Sequence, residues 1–356
     1  MSRRAVLVEI AVAIALTCAL VVWLSGASMA WLARPMAHLS RTSPVGQYSI
    51  DLVDWGAFGR VDALTETGQA AGIVSTYDGG LSAALWDDGA TTRHEDTSEG
   101  LFSAGVGMAA DGTIAFNIRT ITGDGCEGYL RTPAGEIVRL SEFVPGASWC
   151  TIKDINSSGT VVGVIEGPGG EGRAFVWSPA DGMRLLEGQR HTALGINEDG
   201  MIVGCDHATN SAGVLCAWLP TPDGDYSFIH MSQQSGHEGR AYAVNIDGVA
   251  VGRVTGPQPM RWDAANGLQV LDGLGGQTLG WARDINDHGD IVGCLGTVSG
   301  GVAVLWRDGK AYDLNRHIPQ NHRWTLIDAT AINNDGVIAC RVITERGPAV
   351  AVLTPH

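Results

Sequence analysis

Short apolar runs along the chain are separated by polar turns that contain glycine, and one such unit recurs. The segment 154–163 reads Asp-Ile-Asn-Ser-Ser-Gly-Thr-Val-Val-Gly. The same pattern returns in four further segments: 195–204, 243–252, 284–293 and 331–340. Two weaker copies centre on Gly68 and Gly112, and the last strong copy ends in Cys340 instead of glycine. Repetition at a steady period indicates one supersecondary unit used many times.

The strong copies share an asparagine three residues before a glycine. These repeat turn residues are Asn156 and Gly159, Asn197 and Gly200, Asn245 and Gly248, Asn286 and Gly289, and Asn333 and Gly336. Asn-x-x-Gly between apolar runs favours a short hairpin loop, because the asparagine caps nearby backbone amides and glycine accepts a positive φ. Counting the weaker copies, the glycines are 44, 47, 41, 48, 41 and 47 residues apart.

A second landmark follows each turn after 14 to 18 residues. The repeat tryptophans are Trp86, Trp177, Trp218, Trp262 and Trp306, with leucine at positions 130 and 353. Each tryptophan ends a third strand whose two faces are both mainly apolar, so each small sheet is covered on both sides. A constant register beside apolar neighbours indicates core packing between units, although a ring of sugar-stacking aromatics is the alternative. Trp55, Trp149, Trp281 and Trp324 lie off this register and are the better candidates for exposed contacts.

Four short strands per unit and a period of 41 to 48 residues are typical of β-propeller blades. Residues 46–356 divide into seven units of about 44 residues, so we predict an all-β, seven-bladed propeller of four-stranded antiparallel blades. The seventh unit provides three strands only. Residues 47–53 are therefore predicted to add the closing strand to the last blade, which removes two exposed edges.

The N-terminus predicts export. Arg3 and Arg4 precede an apolar run that is uninterrupted from Ile10 to Leu24, and small residues follow it. Residues 1–33 are predicted to form a hydrophobic helix, either a cleaved signal peptide or a single-pass membrane anchor, and residues 34–45 a linker. The membrane would then be touched through this segment alone, and the propeller would lie in the periplasm or outside the cell.

Charge and cysteine content limit the possible partners and the compartment of the protein. The net charge is −15, and Lys153 and Lys310 are the two lysines, so a nucleic-acid surface is excluded as a function. Six cysteines follow the N-terminal run, an even number that suits an oxidising compartment. A disulfide between Cys205 and Cys216 is expected because both lie in one predicted hairpin; Cys126 with Cys150 and Cys294 with Cys340 are weaker alternatives.

These repeats resemble the bacterial HAF-repeat family of extracellular repeat proteins. The resemblance is carried by 154–163, by 284–293, and by the run from Asp313-Leu314-Asn315 to Ala331-Ile332-Asn333, and it covers roughly residues 60–353. It departs in the first two units, where Thr65 and Ala109 or Ala110 replace the asparagine. The resemblance implies an exported propeller and no catalytic residues.

No motif in the sequence specifies a reaction. The Asp-x-Asn-x-x-Gly turns leave weak calcium binding open, but they lack the bidentate acid of an EF-hand loop, and no other cofactor is indicated. His317 and His322 share a loop without a carboxylate at ligand spacing. A Gly-x-Ser-x-Gly elbow is absent. Asp62, Asp154 and Asp284 fall near innermost-strand positions, and we assign none of them a catalytic role.

We therefore expect a non-catalytic, monomeric binding scaffold that presents its loops to a protein or glycan at the cell envelope. The alternative is a hydrolase or lyase centred on the channel and acting on an extracellular polymer, because propeller enzymes assemble their sites from several blades. A third reading is a structural domain of an envelope assembly. A cluster of carboxylates or histidines with perturbed pKa values at the channel would favour the enzyme.

Overall fold

The computed structural model describes residues 45–53, 55, 59–75, 81–87, 89–94, 100–120, 126–167, 170–188, 190–207, 213–231, 238–296, 301–320 and 323–356. The predicted N-terminal helix and nearly all of the linker lie outside these residues. Within the described part of the chain, no helix is long and apolar enough to cross a membrane.

The described residues form seven antiparallel blades, preceded by β1 (Tyr48–Val53). Blade one contains β2 (Arg60–Leu64), β3 (Ala70–Ser75), β4 (Leu81–Asp87) and β5 (Ala90–His94). Blade two contains β6 (Gly100–Met108), β7 (Ile114–Thr120), β8 (Cys126–Arg131) and β9 (Ile137–Arg139). Blade three contains β10 (Trp149–Ile155), β11 (Val161–Glu166), β12 (Gly172–Ser178) and β13 (Gly182–Leu185). Blade four contains β14 (His191–Ile196), β15 (Ile202–Asp206), β16 (Val214–Pro220) and β17 (Tyr226–His230).

Blade five contains β18 (Gly239–Val244), β19 (Ala250–Val254), β20 (Gln258–Asp263) and β21 (Gly267–Val270). Blade six contains β22 (Gly280–Ile285), β23 (Ile291–Leu295), β24 (Val302–Arg307) and β25 (Lys310–Asp313). Blade seven contains β26 (Thr325–Ile332), β27 (Ile338–Thr344) and β28 (Gly347–Pro355), with β1 as its outermost strand. Single 3-10 turns cover Leu140–Phe143 and Leu314–Arg316. The predicted seven-bladed, four-stranded architecture is confirmed.

The ring closes through β1. This strand pairs antiparallel with β28 over six residues, from Tyr48 opposite Pro355 to Val53 opposite Val350. Blade seven thus combines strands from both ends of the described chain. Blades one and two are also joined by one parallel backbone pairing, between Leu81 and Phe102.

The core consists of seven apolar clusters, and each cluster joins residues of two adjacent blades. The repeat tryptophans occupy one register, opposite the first residue of the second strand, as in Trp177 with Val161 and Trp306 with Ile291. All five pack into the interface with the preceding blade. Burial of both sheet faces therefore stabilises the ring through contacts between blades.

Every innermost strand carries a β-bulge at an equivalent place. In β10 the pairing with β11 jumps from Ile152 to Asp154, which leaves Lys153 without a partner. The same jump occurs in β2, β6, β14, β18, β22 and β26. A bulge leaves one residue outside the ladder and re-aims its side chain, so each blade offers one side chain that does not follow the sheet alternation.

Candidate functional site: the central channel

The seven innermost strands enclose a central channel. Contacts between neighbouring innermost strands run from β2 round to β26 and back to β2. A cavity of about 400 Å³ lies inside this ring, and residues from all seven blades line it. A volume of this size falls within the range of small-molecule sites, roughly 300 to 1,000 Å³.

The bulged residues form a ring within this cavity. In blade order, the bulge ring consists of Asp62, Val106, Lys153, Leu194, Tyr242, Arg283 and Thr330, and all seven line the cavity. None is fully buried. The residues before and after each bulge are mostly small or aliphatic. The blades therefore differ in the chemistry that they present to the channel mainly at the bulged position.

The bulge ring has two unlike sides. Arg283, Thr330 and Asp62 come from the consecutive blades six, seven and one and make a polar arc. Across the channel, Val106 and Leu194 flank Lys153 in blades two to four, and Tyr242 follows in blade five. One side of the channel is therefore polar, and the opposite side is apolar apart from one lysine, Lys153.

Arg283 is held by the next blade. Its Nη2 and Nε donate to the two carboxylate oxygens of Asp328 at 3.0 and 3.3 Å, and Asp328 is only 2% exposed. The guanidinium carbon lies 5.4 Å from the centre of the Trp281 ring. This two-bond pair fixes the guanidinium and neutralises its charge.

One of the two carboxylate oxygens of Asp62 has a hydrogen-bond partner and the other has none. Its Oδ1 accepts from Nε of Arg60, whereas its Oδ2 is buried without a hydrogen-bond partner. Burial raises the pKa of Asp62, and the positive charges of Arg60, Arg283 and Lys153 act in the opposite direction. Asp62 therefore lines the cavity with one carboxylate oxygen that lacks a donor, and leaving a buried acceptor without a partner is costly.

Lys153 lines the same cavity with a positive charge. Its side chain is exposed to the channel, and it forms no hydrogen bond or ion pair with another described residue. The surrounding protein lowers the pKa of its ammonium group, and the charges of Arg240 and Arg60 lower it further. The cavity therefore contains a free cation and a free carboxylate oxygen.

Two further carboxylates lie directly after bulged residues, and both stabilise the ring. Asp154 accepts the amides of Ile155 and Ile196 at 2.8 and 2.9 Å, and Asp284 accepts those of Ile285 and Ile332 at the same distances. Each thereby ties its blade to the next one. Burial raises the pKa of Asp154 to about 7 and that of Asp284 to about 6, although these amide bonds act to lower both values.

The repeat asparagines form a belt at the turns beside the channel. Oδ1 of Asn156 accepts from the amide of Thr160 at 3.0 Å, and its Nδ2 donates to the carbonyl oxygen of Asn197 in the next blade. The same bond to the next blade is made by Asn197, Asn245, Asn286 and Asn333, the last of which donates to the carbonyl of Thr65. The glycine three residues later has a positive φ, 80° at Gly159. The belt accounts for the turn sequence without calcium, since both ends of each amide are engaged.

The predicted disulfide is wrong. Cys205 lies opposite Leu215, and Cys216 lies opposite Gly204, so the two cysteines point to opposite faces of their hairpin. All six cysteines of the described chain are free, including those of the weaker pairings. Sγ of Cys205 lies 3.1 Å from Nε2 of His207.

The off-register tryptophans are less exposed than expected. Trp55 is completely buried and its Nε1 donates to Oγ1 of Thr91, so its assignment as an exposed contact is wrong. Trp149, Trp281 and Trp324 are half-buried. Of the loop histidines, His317 contacts the carbonyl of Gly46 at 3.1 Å, and His322 lies outside the described residues.

A histidine pair in blade four holds one buried carboxylate. Nε2 of His191 and Nε2 of His230 each lie 3.1 Å from an oxygen of Asp206, and His191 stacks on Phe228. Among the described residues, no group of three or more histidine, cysteine, aspartate or glutamate side chains is arranged to hold a metal ion. We interpret this pair as part of the packing of blade four.

Comparison with known proteins identifies the fold. The chain is a β-propeller like several solved proteins. A streptogramin B lyase aligns with 88% of this chain and 100% of its own at 11% identity and a TM-score of 0.51. YCF48 bound to a D1 peptide aligns with 88% and 99% at 10% identity and a TM-score of 0.54. A puromycin hydrolase aligns at 14% identity and a TM-score of 0.52 over 88% of this chain but 52% of its own.

At such identities the likeness concerns the fold alone. No protein-family model matches the chain, and no curated protein sequence matches it.

Proposed function

We propose that this protein is a binding propeller whose ligand enters the central channel and contacts the bulge ring. The observation that carries the proposal is that each blade places one bulged residue, which lies outside the strand pairing, in the lining of the same cavity. At the other positions the innermost strands carry similar, mostly small or aliphatic residues in every blade, because these positions form the ring itself. Specific recognition with one contact per blade is what such an arrangement provides.

Three carboxylates at or beside the channel support binding over catalysis. Asp154 and Asp284 are occupied by two main-chain amides each, and Asp328 is occupied by Arg283. Such groups position the blades and are not free to exchange protons with a substrate. Among the described residues, the exposed large apolar side chains come from blades two, five and seven and from the segment before blade six. They are spread over several blades, so they do not mark one outer surface as a docking site.

We further propose that the protein works outside the cytoplasm, as a HAF-like repeat protein. The support is the order of basic residues, apolar run and small residues at the N-terminus, together with the Asn-x-x-Gly repeats. In that location, the channel would take its ligand from the envelope or the surroundings of the cell.

A thermal-shift screen of small polar metabolites tests the proposal with a matched pair of variants. Leu194→Trp fills the channel, whereas Leu279→Trp adds the same bulk at a residue that is 48% exposed. Compounds that stabilise the wild type should stabilise Leu279→Trp equally and leave Leu194→Trp unchanged. Equal stabilisation of both variants would show that the ligand binds elsewhere.

The second candidate function is a channel-centred hydrolase or lyase. It is favoured by one observation, since Asp62 and Lys153 line the same cavity and their pKa values are displaced in opposite directions. Each stabilising compound should therefore be incubated with the protein and analysed by mass spectrometry. Conversion that is abolished in Lys153→Met, but retained in Lys310→Met, would establish the enzyme.

A further inference from the structure

We propose that the channel binds a small organic carboxylate that has an apolar or aromatic body and a hydrogen-bond donor next to its carboxylate group. This inference rests on the proposed function and specifies its ligand. It follows from three features of the bulge ring, which concern charge, hydrogen bonding and shape.

The first feature is an ammonium group without an ion-pair partner. Of the cations that line the cavity, Arg60 is engaged by Asp62 and Arg283 is engaged by Asp328. Lys153 has no carboxylate partner among the described residues. One free ammonium group balances one negative charge, so the site suits a carboxylate. A phosphate monoester carries more charge and is better served by forked guanidinium donors.

The second feature is an acceptor without a donor. Oδ2 of Asp62 is buried and unpartnered, and the Asp62 side chain lines the same cavity as Lys153. A ligand hydroxyl or ammonium group would satisfy this oxygen and remove the cost of leaving it unpaired. A 2-hydroxy or 2-amino acid combines such a donor with a carboxylate in one small molecule.

The third feature is the apolar wall. Val106 and Leu194 stand on either side of Lys153 in the blade order, and Tyr242 follows Leu194. All three line the cavity and remain partly accessible. A ligand whose carboxylate meets Lys153 would lay the rest of its body against this wall, so the body should be aliphatic or aromatic.

Four related probes separate these features when their affinities are measured by isothermal titration calorimetry on the full-length protein. 3-Phenyllactate carries the carboxylate, the hydroxyl and the ring. 3-Phenylpropionate lacks the hydroxyl, 2-phenylethanol lacks the carboxylate, and phenyl phosphate replaces the carboxylate by a dianion. We expect 3-phenyllactate to bind most tightly, 3-phenylpropionate more weakly, and the other two weakest.

Three variants assign each contact. Lys153→Met should weaken both carboxylates about tenfold or more, because it removes a charge-assisted bond. Asp62→Asn should reduce the preference for 3-phenyllactate over 3-phenylpropionate. Lys310→Met, at the exposed first residue of β25, is the matched control and should change nothing. The comparison of probes on the wild type remains decisive if a variant fails to fold.

Several results would overturn the inference: 2-phenylethanol or phenyl phosphate binding as tightly as 3-phenyllactate, unchanged affinity in Lys153→Met, or no binding by any carboxylate probe. If none of these probes binds while other compounds stabilise the wild type but not Leu194→Trp, the channel is still the site and its ligand class is different. If stabilising compounds act equally on Leu194→Trp, the proposed function itself fails.

Discussion

Nδ2 of Asn286 donates to the carbonyl oxygen of Asn333, the equivalent residue of the following blade, at 3.0 Å. Oδ1 of the same side chain accepts from the amide of Asp290 within its own turn, also at 3.0 Å. One side chain thus closes its hairpin and fastens two blades together. This double use explains why asparagine recurs at this position in five of the seven blades.

Asn286→Ala should therefore destabilise the fold by more than the loss of a simple turn cap. It removes the acceptor of the buried amide of Asp290 and one of the two hydrogen bonds to the carbonyl oxygen of Asn333, which keeps the bond from the amide of Gly336. A buried amide left without a partner costs about 1 to 3 kcal/mol. Urea unfolding monitored by tryptophan fluorescence measures the difference. Asn266→Ala, at an exposed turn where the side chain contacts Asp263 alone, is the control and should cost less.

Stability should fall as the pH rises from about 4 to about 7. Burial raises the pKa of Asp154 to about 7 in the folded protein, against an ordinary value of 3.8. The folded state therefore binds more protons than the unfolded state in this window, and the stability that this proton provides is lost as the pH approaches 7. Urea unfolding at pH 5 and pH 8 should show the decline, and it should be smaller in Asp154→Asn. A variant with the wild-type pH dependence would contradict the assignment.

Two tryptophans in the same repeat register should respond differently to phenylalanine. Nε1 of Trp306 donates to the carbonyl of Asp272 at 2.8 Å, whereas Nε1 of Trp177 is buried without a partner. Trp306→Phe should consequently cost about 1 kcal/mol more than Trp177→Phe, because only the former breaks a hydrogen bond. Trp177→Ala should still cost roughly 3 to 5 kcal/mol as a core cavity. Equal costs for the two phenylalanine variants would refute the role given to the indole nitrogen.

Deletion of residues 47–53 should strongly destabilise the ring. The deletion removes the six-residue pairing of β1 with β28 and exposes the edge of β28 to solvent. Circular dichroism during thermal unfolding measures the loss, and wild-type stability in the shortened protein would show that the ring does not depend on this strand. Val53→Asp, at a residue that is 1% exposed, tests the same strand without changing chain length.

Lys153 should react with amine reagents at a lower pH than an ordinary lysine. Desolvation by the surrounding channel walls lowers the pKa of its ammonium group, so more of the amine is neutral near pH 8. Trace acetylation followed by peptide mass spectrometry gives the labelling rate as a function of pH, with a free lysine derivative as the reference. A Lys153 profile that matches the reference would remove this support for a constrained amine in the channel.

The repeats specified the architecture because blade length, turn chemistry and tryptophan register all recur along the chain. The channel was harder to predict. Asp62, Asp154 and Asp284 were recognised as near the innermost strands, but Lys153 and Tyr242 were overlooked, because a bulge cannot be seen in an alternating pattern. A signal was nevertheless present: the bulged residue always lies three positions before the turn asparagine or its replacement, and that position varies most in chemical type.

The cysteine prediction failed for a related reason. Placing Cys205 and Cys216 in one hairpin was correct, but a shift of one residue in register moves a side chain to the opposite face. The bonds of the asparagines to the next blade were also beyond sequence reasoning, because they depend on the spacing between blades and not on the turn itself.

The most direct test of the central claim is a crystal structure of the protein with the compound that stabilises it most in the thermal-shift screen. We expect density for that compound inside the channel, against Lys153 and Asp62. Density on an outer face of the propeller, with the channel containing water alone, would contradict it.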